Sequence, residues 1–189
     1  MTKAVFLDRD GTINVEKNYL HRIEDFEFLP GVFEALQLLQ SEGYLLIVIT
    51  NQSGIGRGYY TVEEFKKLNN WMLGQLQMKG ICITDVFFCP HYISSTDARY
   101  HISCYCRKPE IGMYESAVQK YHINLERSWS VGDRIRDCAI SSKSKCRSIL
   151  IGRNERAEEI DKVKSGMVQN ISYADHLLDA AKRITGFIE

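Results

Sequence analysis

A chain of 189 residues with 44% hydrophobic residues can bury a substantial core, and no stretch of it is low in complexity, so a single domain is expected. Lys+Arg 24 balances Asp+Glu 24, leaving no overall field to draw nucleic acid, an anionic membrane surface or an acidic tail, and such partners are disfavoured. The longest apolar runs, such as 44–49, have only strand length, and Met1-Thr2-Lys3-Ala4 leads straight into a strand. These features predict no signal peptide or membrane span and a cytoplasmic protein; a monomer is expected, although the sequence leaves the oligomeric state open. Six cysteines without an export signal read as thiols or metal ligands rather than disulfides.

In chain order, strand-like and helix-like segments alternate, which predicts an α/β fold with a mostly parallel sheet between two layers of helices. The first strand, Val5-Phe6-Leu7, runs into Asp8-Arg9-Asp10-Gly11-Thr12, and open α/β sheets place their chemistry just beyond such strand ends. Residues 13–30 are long and mixed and read as a flap over the site. Helical spacing after Gly31, closed by Gly43, predicts a helix followed by a strand at 44–50. Thr61-Val62-Glu63-Glu64 is a capping box starting a helix that runs to about residue 79, and 83–89 make a third strand. Periodicity then fails from 90 to 109. Beyond it, 111–121 reads as helix, 128–131 as strand, 134–144 as helix and 147–151 as strand. The tail predicts a short strand near 168–171 and a helix from about 173 to 184 capped by Ser172.

Asp8 and Asp10 repel unless a cation lies between them, which points to a divalent-metal site with oxygen ligands suited to magnesium and one carboxylate free to act as a nucleophile. Gly11 lets the chain turn, and Thr12 is expected to hydrogen-bond the neighbouring acid; an N-capping acid or an Asp-Gly turn would use the same residues. The end of the second strand, Thr50-Asn51-Gln52-Ser53-Gly54-Ile55-Gly56-Arg57-Gly58, offers hydroxyls, backbone amides and a guanidinium, the makings of a phosphate cradle. It lacks the Lys-Ser/Thr ending of a nucleotide P-loop, and Gly-rich loops after strands are also ordinary turns. Arg107-Lys108-Pro109 places two cations before a helix, Lys108 being suited to neutralise charge on a transferring phosphoryl group, although such a pair alone is usually just solvated. In Val131-Gly132-Asp133-Arg134-Ile135-Arg136-Asp137, Asp133 stands where it can complete a metal site with Asp8. Asp137, one helical turn on, can orient Lys108 or a metal-bound water; a helix-start acid pair is the alternative. Arg57, Arg107 and Arg134 are expected to converge with Lys108 on one cleft, more guanidiniums than one phosphoryl group requires.

Cys89-Pro90-His91 and Cys104-Tyr105-Cys106 bracket the irregular loop, which otherwise has no device to offset its ordering entropy. Three thiolates and one imidazole saturate tetrahedral zinc, so Cys89, His91, Cys104 and Cys106 read as a structural zinc site with no open position. His101 breaks the paired spacing and is left out. Cys82, Cys138 and Cys146 read as ordinary buried thiols.

Taken in order, DRDGT, the Thr50 strand end, Lys108 and GDRIRD resemble the four motifs of the haloacid dehalogenase superfamily of phosphotransferases. The fuller strings FLDRDGTIN, TNQSGIGRG, CPH, CYCRKP and VGD resemble the D-glycero-D-manno-heptose 1,7-bisphosphate phosphatases and the related histidinol-phosphate phosphatases. The resemblance implies a Rossmann-like three-layer fold with a zinc-binding loop, and the gaps after Gly11 and between Gly58 and Ile83 are too short for a large lid, so a capless form is expected. It also implies a small sugar phosphate as substrate, most simply the heptose bisphosphate, with histidinol phosphate as the alternative. Asp8 is then the nucleophile that forms an aspartyl phosphate, and Asp10 the acid that protonates the leaving alkoxide and afterwards activates water. Magnesium would bind Asp8, the Asp10 carbonyl and Asp133. Thr50 and Lys108 would hold the phosphoryl group, with Asn18, Tyr19, Asn51, Gln52, Ser53, Arg57, Arg107 and Arg134 around the substrate. Two positions depart from the family pattern, Ile111 in place of Pro and Arg134 in place of Lys, and both bear on how the non-reacting end is held. A reading of another class is a phosphate-binding or zinc-organised interaction module without turnover, against which stands the presence of all five catalytic groups.

Overall fold

A computed structural model describes residues 2–152 and 157–186. Its central strand, β1 (Ala4–Leu7), is wholly buried, as a strand covered on both faces must be. The chain continues through α1 (Val32–Ser41), β2 (Leu45–Asn51), the single turn α2 (Ser53–Gly56), α3 (Val62–Met78), β3 (Ile83–Cys89), α4 (Gly112–Tyr121), β4 (Trp129–Gly132), the short α5 (Ile140–Lys143), β5 (Arg147–Ile151), α6 (Ala157–Lys164), β6 (Ile171–Ala174) and α7 (Leu177–Thr185). All strand pairs are parallel, in the order β3-β2-β1-β4-β5-β6. The chain therefore moves outward from β1 on one side, returns, and moves outward on the other. The crevice between β1 and β4 is the point at which ligand sites form in such sheets.

Alternation along the strands divides the core into two layers. Val5 and Leu7 of β1, with Leu46 and Val48 of β2, face α1, α3 and α7 through Leu36, Leu39, Met72, Leu76, Leu177 and Ala181. Ala4, Phe6, Ile47 and Ile49 face the other way, onto Met113, Tyr114 and Ala117 of α4 and Ile140 of α5. The capping box is present as read, with the Glu64 amide donating to Thr61 Oγ1 (3.1 Å) and the Thr61 amide to Glu64 Oε2 (2.7 Å). No helix among the described residues is long and apolar enough to cross a membrane.

Segment 13–30 is anchored rather than loose. Ile13 is fully buried, the Val15 amide donates to Glu27 O and the Leu29 amide to Ile13 O, and Phe26 and Phe28 pack on the core beside α3. Three expectations are corrected. The helix read over 134–144 is broken into a 3-10 turn (Ile135–Cys138) and α5, because the carbonyls it would need are captured by hydroxyls. Tyr114 and Ser130 donate to Asp137 O, and Ser141 and Ser148 to Cys138 O. The last strand lies three residues later than read, at β6, because Ser148 to Ile151 pair with 171–174. Ser172 is thus inside a strand, and α7 is capped by His176, whose Nδ1 accepts from the Asp179 amide. α6 had no counterpart among the expected elements, its apolar stripe being narrow, with only Ile160 and Val163 buried.

Candidate active site

β1 and β4 end side by side, and the Asp8 amide still donates to Val131 O (3.0 Å), so the sheet itself fixes where Asp8 starts. Asp8, Asp133 and Asp137 are all buried, and each offers a carboxylate oxygen within 4.8 Å of the others. Lys108, 3% exposed, enters this cluster from the irregular loop. Its Nζ lies 2.7 Å from Asp8 Oδ1 and 2.7 Å from Asp137 Oδ1, and it donates to Ile49 O at 2.7 Å. Asp137 thus pairs with Lys108, and its second oxygen accepts from the Arg134 amide.

Lys108 is the ammonium buried among these three carboxylates, while the Arg134 and Arg136 guanidiniums reach Asp133 and Asp137 only from the rim, at 3.7 and 3.9 Å. Burial, then the charges of Asp137 and Asp133 working against the attraction of Lys108, push the Asp8 carboxyl up to about 8. Burial alone would pull Lys108 down, but Asp137 and Asp8 outweigh it and hold the ammonium well above its ordinary value. A cluster of hard oxygen donors that must otherwise retain a proton fits a divalent cation of the magnesium type. The approach of Asp133 depends on Gly11, with φ +84°, since a Cβ there would stand 2.5 Å from Asp133 Oδ2.

Asp10 points to the other side of the crevice into a cage of donors. The Arg9 guanidinium, fully buried, grips both its oxygens at 2.9–3.2 Å. Asn14 Nδ2 donates to Oδ1 (3.0 Å) and Gln52 Nε2 to Oδ2 (2.9 Å). Arg9 and Asn14 escaped the sequence reading, because nothing local says what a buried guanidinium or amide pairs with. Thr12, expected on the neighbouring acid, is buried with its hydroxyl oxygen making no hydrogen bond to the described residues.

The Thr50 loop is more a packed turn than an open cradle, since the amides of Ile55, Gly56 and Arg57 donate to Gln52 O, Pro90 O and Ser53 O. Thr50 Oγ1 accepts from Gln52 Nε2 (2.9 Å). Asn51, read as a substrate contact, is spent on the backbone of Lys108, with Nδ2 donating to Lys108 O and Oδ1 accepting from its amide, each at 3.1 Å. A cleft of about 310 Å³ opens over Asp10, lined by Asn51, Gln52, Ser53, Asn18, Tyr19 and the expected Arg57, Arg107 and Arg134, joined by Tyr60, Arg136 and Glu16. Asn18 and Tyr19 both have positive φ, which turns the anchored segment over the cleft. Arg57 lies over the Tyr92 ring (3.7 Å), Arg107 donates to His91 O (3.4 Å), and Arg134 stands 3.5 Å from Glu159 of α6.

Cys89, His91, Cys104 and Cys106 converge with their donor atoms within 4.8 Å of one another. The sulfur pairs lie 3.1–3.4 Å apart, and His91 Nδ1 is 3.2 Å from Cys106 Sγ and 3.5 Å from Cys89 Sγ. His101 lies outside the cluster, its Nδ1 meeting Ser95 O at 2.8 Å. All six cysteines are free; Cys138 and Cys146 are buried as expected, whereas Cys82 is exposed at the start of β3.

Residues 3–175 match the model of the Polynucleotide kinase 3 phosphatase family. A D-glycero-beta-D-manno-heptose-1,7-bisphosphate 7-phosphatase of Haemophilus ducreyi is 37% identical over 180 residues, covering 92% of this chain and 98% of the relative. A D-glycero-alpha-D-manno-heptose-1,7-bisphosphate 7-phosphatase of Photorhabdus laumondii is 47% identical over 135 residues, covering 71% of this chain and 74% of that protein. The crystal structure of D,D-heptose 1,7-bisphosphate phosphatase from B. bronchiseptica, complexed with magnesium and phosphate, aligns at a TM-score of 0.84 and 25% identity over 99% of this chain and 100% of that one. With the acid cluster, the buried lysine and the doubly flanked sheet in place, the chain belongs to the Polynucleotide kinase 3 phosphatase family and is a phosphatase of the haloacid dehalogenase superfamily.

Proposed function

We propose that this phosphatase hydrolyses a sugar bisphosphate in a magnesium-dependent reaction through an aspartyl phosphate, removing the 7-phosphate of D-glycero-D-manno-heptose 1,7-bisphosphate. The observation that carries the substrate class is the cleft beside Asp10, where Arg57, Arg107, Arg134 and Arg136 exceed what one phosphoryl group needs. A second anionic group on the substrate gives those guanidiniums a partner. The relatives that act on heptose bisphosphates support the same choice.

In the reaction, an Asp8 oxygen attacks phosphorus and the bond to the leaving sugar oxygen breaks, with Asp10 delivering a proton to that oxygen. The same Asp10 carboxylate then takes a proton from the water that attacks the aspartyl phosphate, releasing inorganic phosphate and regenerating Asp8. Lys108 and Thr50 hold the phosphoryl oxygens, and Asp137 keeps Lys108 in place. Magnesium, held by Asp8, the Asp10 carbonyl and Asp133, would supply positive charge to the phosphoryl oxygens and the crowded carboxylates. Zinc on Cys89, His91, Cys104 and Cys106 would be structural, ordering the loop that ends at Arg107 and Lys108. The activity is carried by a single domain, working as a cytoplasmic monomer.

The test compares kcat/KM for both anomers of the heptose bisphosphate, histidinol phosphate and an aryl phosphate. The expected result is a preference for one heptose anomer by at least about a hundredfold over the aryl phosphate, the kind of gain a remote anionic group supplies. Equal rates on all four would overturn the bisphosphate reading.

A further inference from the structure

Gln52 lines the cleft beside Asp10, where the sequence placed it against substrate, yet it is only 2% exposed and its amide is engaged on every side. Its single Nε2 donates to Thr50 Oγ1 (2.9 Å) and to Asp10 Oδ2 (2.9 Å), and its Oε1 accepts from the Tyr60 hydroxyl (2.6 Å). An amide has two N–H donors, so one nitrogen can serve both acceptors only in this orientation. The opposite orientation would set Oε1 against the Asp10 carboxylate, acceptor to acceptor. Tyr60 therefore has a definite task at the far end of the side chain. It is held there by close packing: it is 5% exposed, clusters with Ile55 and Phe65, and stacks on the His21 ring at 5.2 Å and 10°. Position 54 has to be glycine for this, because a Cβ on Gly54 would stand 2.1 Å from the Tyr60 ring.

The geometry points to Gln52 as a positioning residue that locks Asp10 to Thr50, with Tyr60 orienting its amide, rather than as a substrate contact. The inference rests on the roles given above to Asp10 and Thr50. It goes beyond them in tying together the proton-transfer acid and a phosphoryl-holding hydroxyl, which lie on neighbouring strand ends. Asp10 has two jobs in succession on opposite partners, and both need its carboxylate at a fixed distance from the phosphorus that Thr50 helps to place. One rigid amide between them sets that distance.

The experiment measures kcat and KM for an aryl phosphate with saturating magnesium, so that it is read independently of which sugar phosphate the enzyme prefers. Four proteins are compared: wild type, Gln52→Leu, Tyr60→Phe and the double variant. Near-ultraviolet circular dichroism reports that each is folded, and Tyr60→Phe keeps the packed ring. Gln52→Leu should lower kcat on the order of ten- to a hundredfold, the scale of a misplaced catalytic group, with KM within about twofold of wild type. Tyr60→Phe should lower kcat by about two- to fivefold in the wild-type background and leave it unchanged once Gln52 is gone, the non-additivity expected of residues acting as one unit. A Gln52→Leu loss borne by KM would make Gln52 a substrate contact and overturn the inference. Losses that multiply in the double variant, or a Tyr60→Phe enzyme as fast as wild type, would overturn the role of Tyr60 as its orienter.

Discussion

At the scale of single residues, the two acids of the first motif do different work because they face different neighbours. Asp8 sits against one ammonium and two carboxylates, while Asp10 is held by a guanidinium and two amides. Asp8→Asn should abolish turnover, because an amide cannot form the aspartyl phosphate, whereas Asp10→Asn should slow it roughly a hundred- to ten-thousandfold through lost proton transfer. Acid-quench trapping of phosphoenzyme checks this, since Asp10→Asn can still accumulate it and Asp8→Asn cannot. Arg107 offers a second test at this scale: Arg107→Ala should reduce the preference for a bisphosphate over a monophosphate by about tenfold or more, through loss of remote binding energy. Equal slowing of both substrates would place Arg107 at the reacting phosphate. The acids that converge at the strand ends were legible because the motif carries them at fixed spacing. Arg9, Asn14 and Tyr60 were not, since a side chain's partner across the fold leaves no trace in its own neighbourhood. Asn51 and Gln52 line the cleft, but a loop position cannot say what an amide pairs with there.

At the scale of elements, the strands feeding the site were readable as apolar runs, with β3 and β5 matching residue for residue. The errors fall where hydroxyls compete for backbone carbonyls, in the broken 134–144 segment, and where a strand was drawn too early, at β6. The irregular loop shows why its four metal-type donors matter. It touches the cleft at three points: Arg107 donates to His91 O, Arg57 lies over Tyr92, and the Gly56 amide donates to Pro90 O. Replacing both Cys104 and Cys106 by Ser should therefore remove bound zinc and cost on the order of a hundredfold in rate, while β1 and its two acids stay folded. Metal content and activity measured on the same sample decide it. Full turnover in zinc-free protein would mean that the Arg107-Lys108 segment is held by something else.

At the scale of the whole molecule, the sheet order was not legible, because alternation of elements says that strands are parallel but not which are neighbours. The structure places β1 between β2 and β4, and this adjacency brings Asp8 and Asp133 together from distant parts of the chain. The same convergence gives the molecule a charge problem that magnesium would resolve, and the sign of the resulting pH dependence follows from linkage. Without a cation, burial and the neighbouring carboxylates raise the Asp8 carboxyl from 3.8 to about 8, so between those values the folded protein holds a proton that the unfolded chain has released. That contribution to stability is fully present below about pH 4 and is lost as pH rises through 8. Magnesium at this cluster would bind the carboxylate form and expel the proton, so its stabilisation should grow with pH. The rise in melting temperature on adding saturating magnesium should be larger at pH 8 than at pH 6, in samples whose zinc content is shown to be equal. Titration near pH 7 in two buffers of different ionisation enthalpy should register proton release on binding. A magnesium shift of the same size at both pH values, with no proton released, would mean that Asp8 is already ionised beside Lys108 and that the cluster is charge-balanced without the metal.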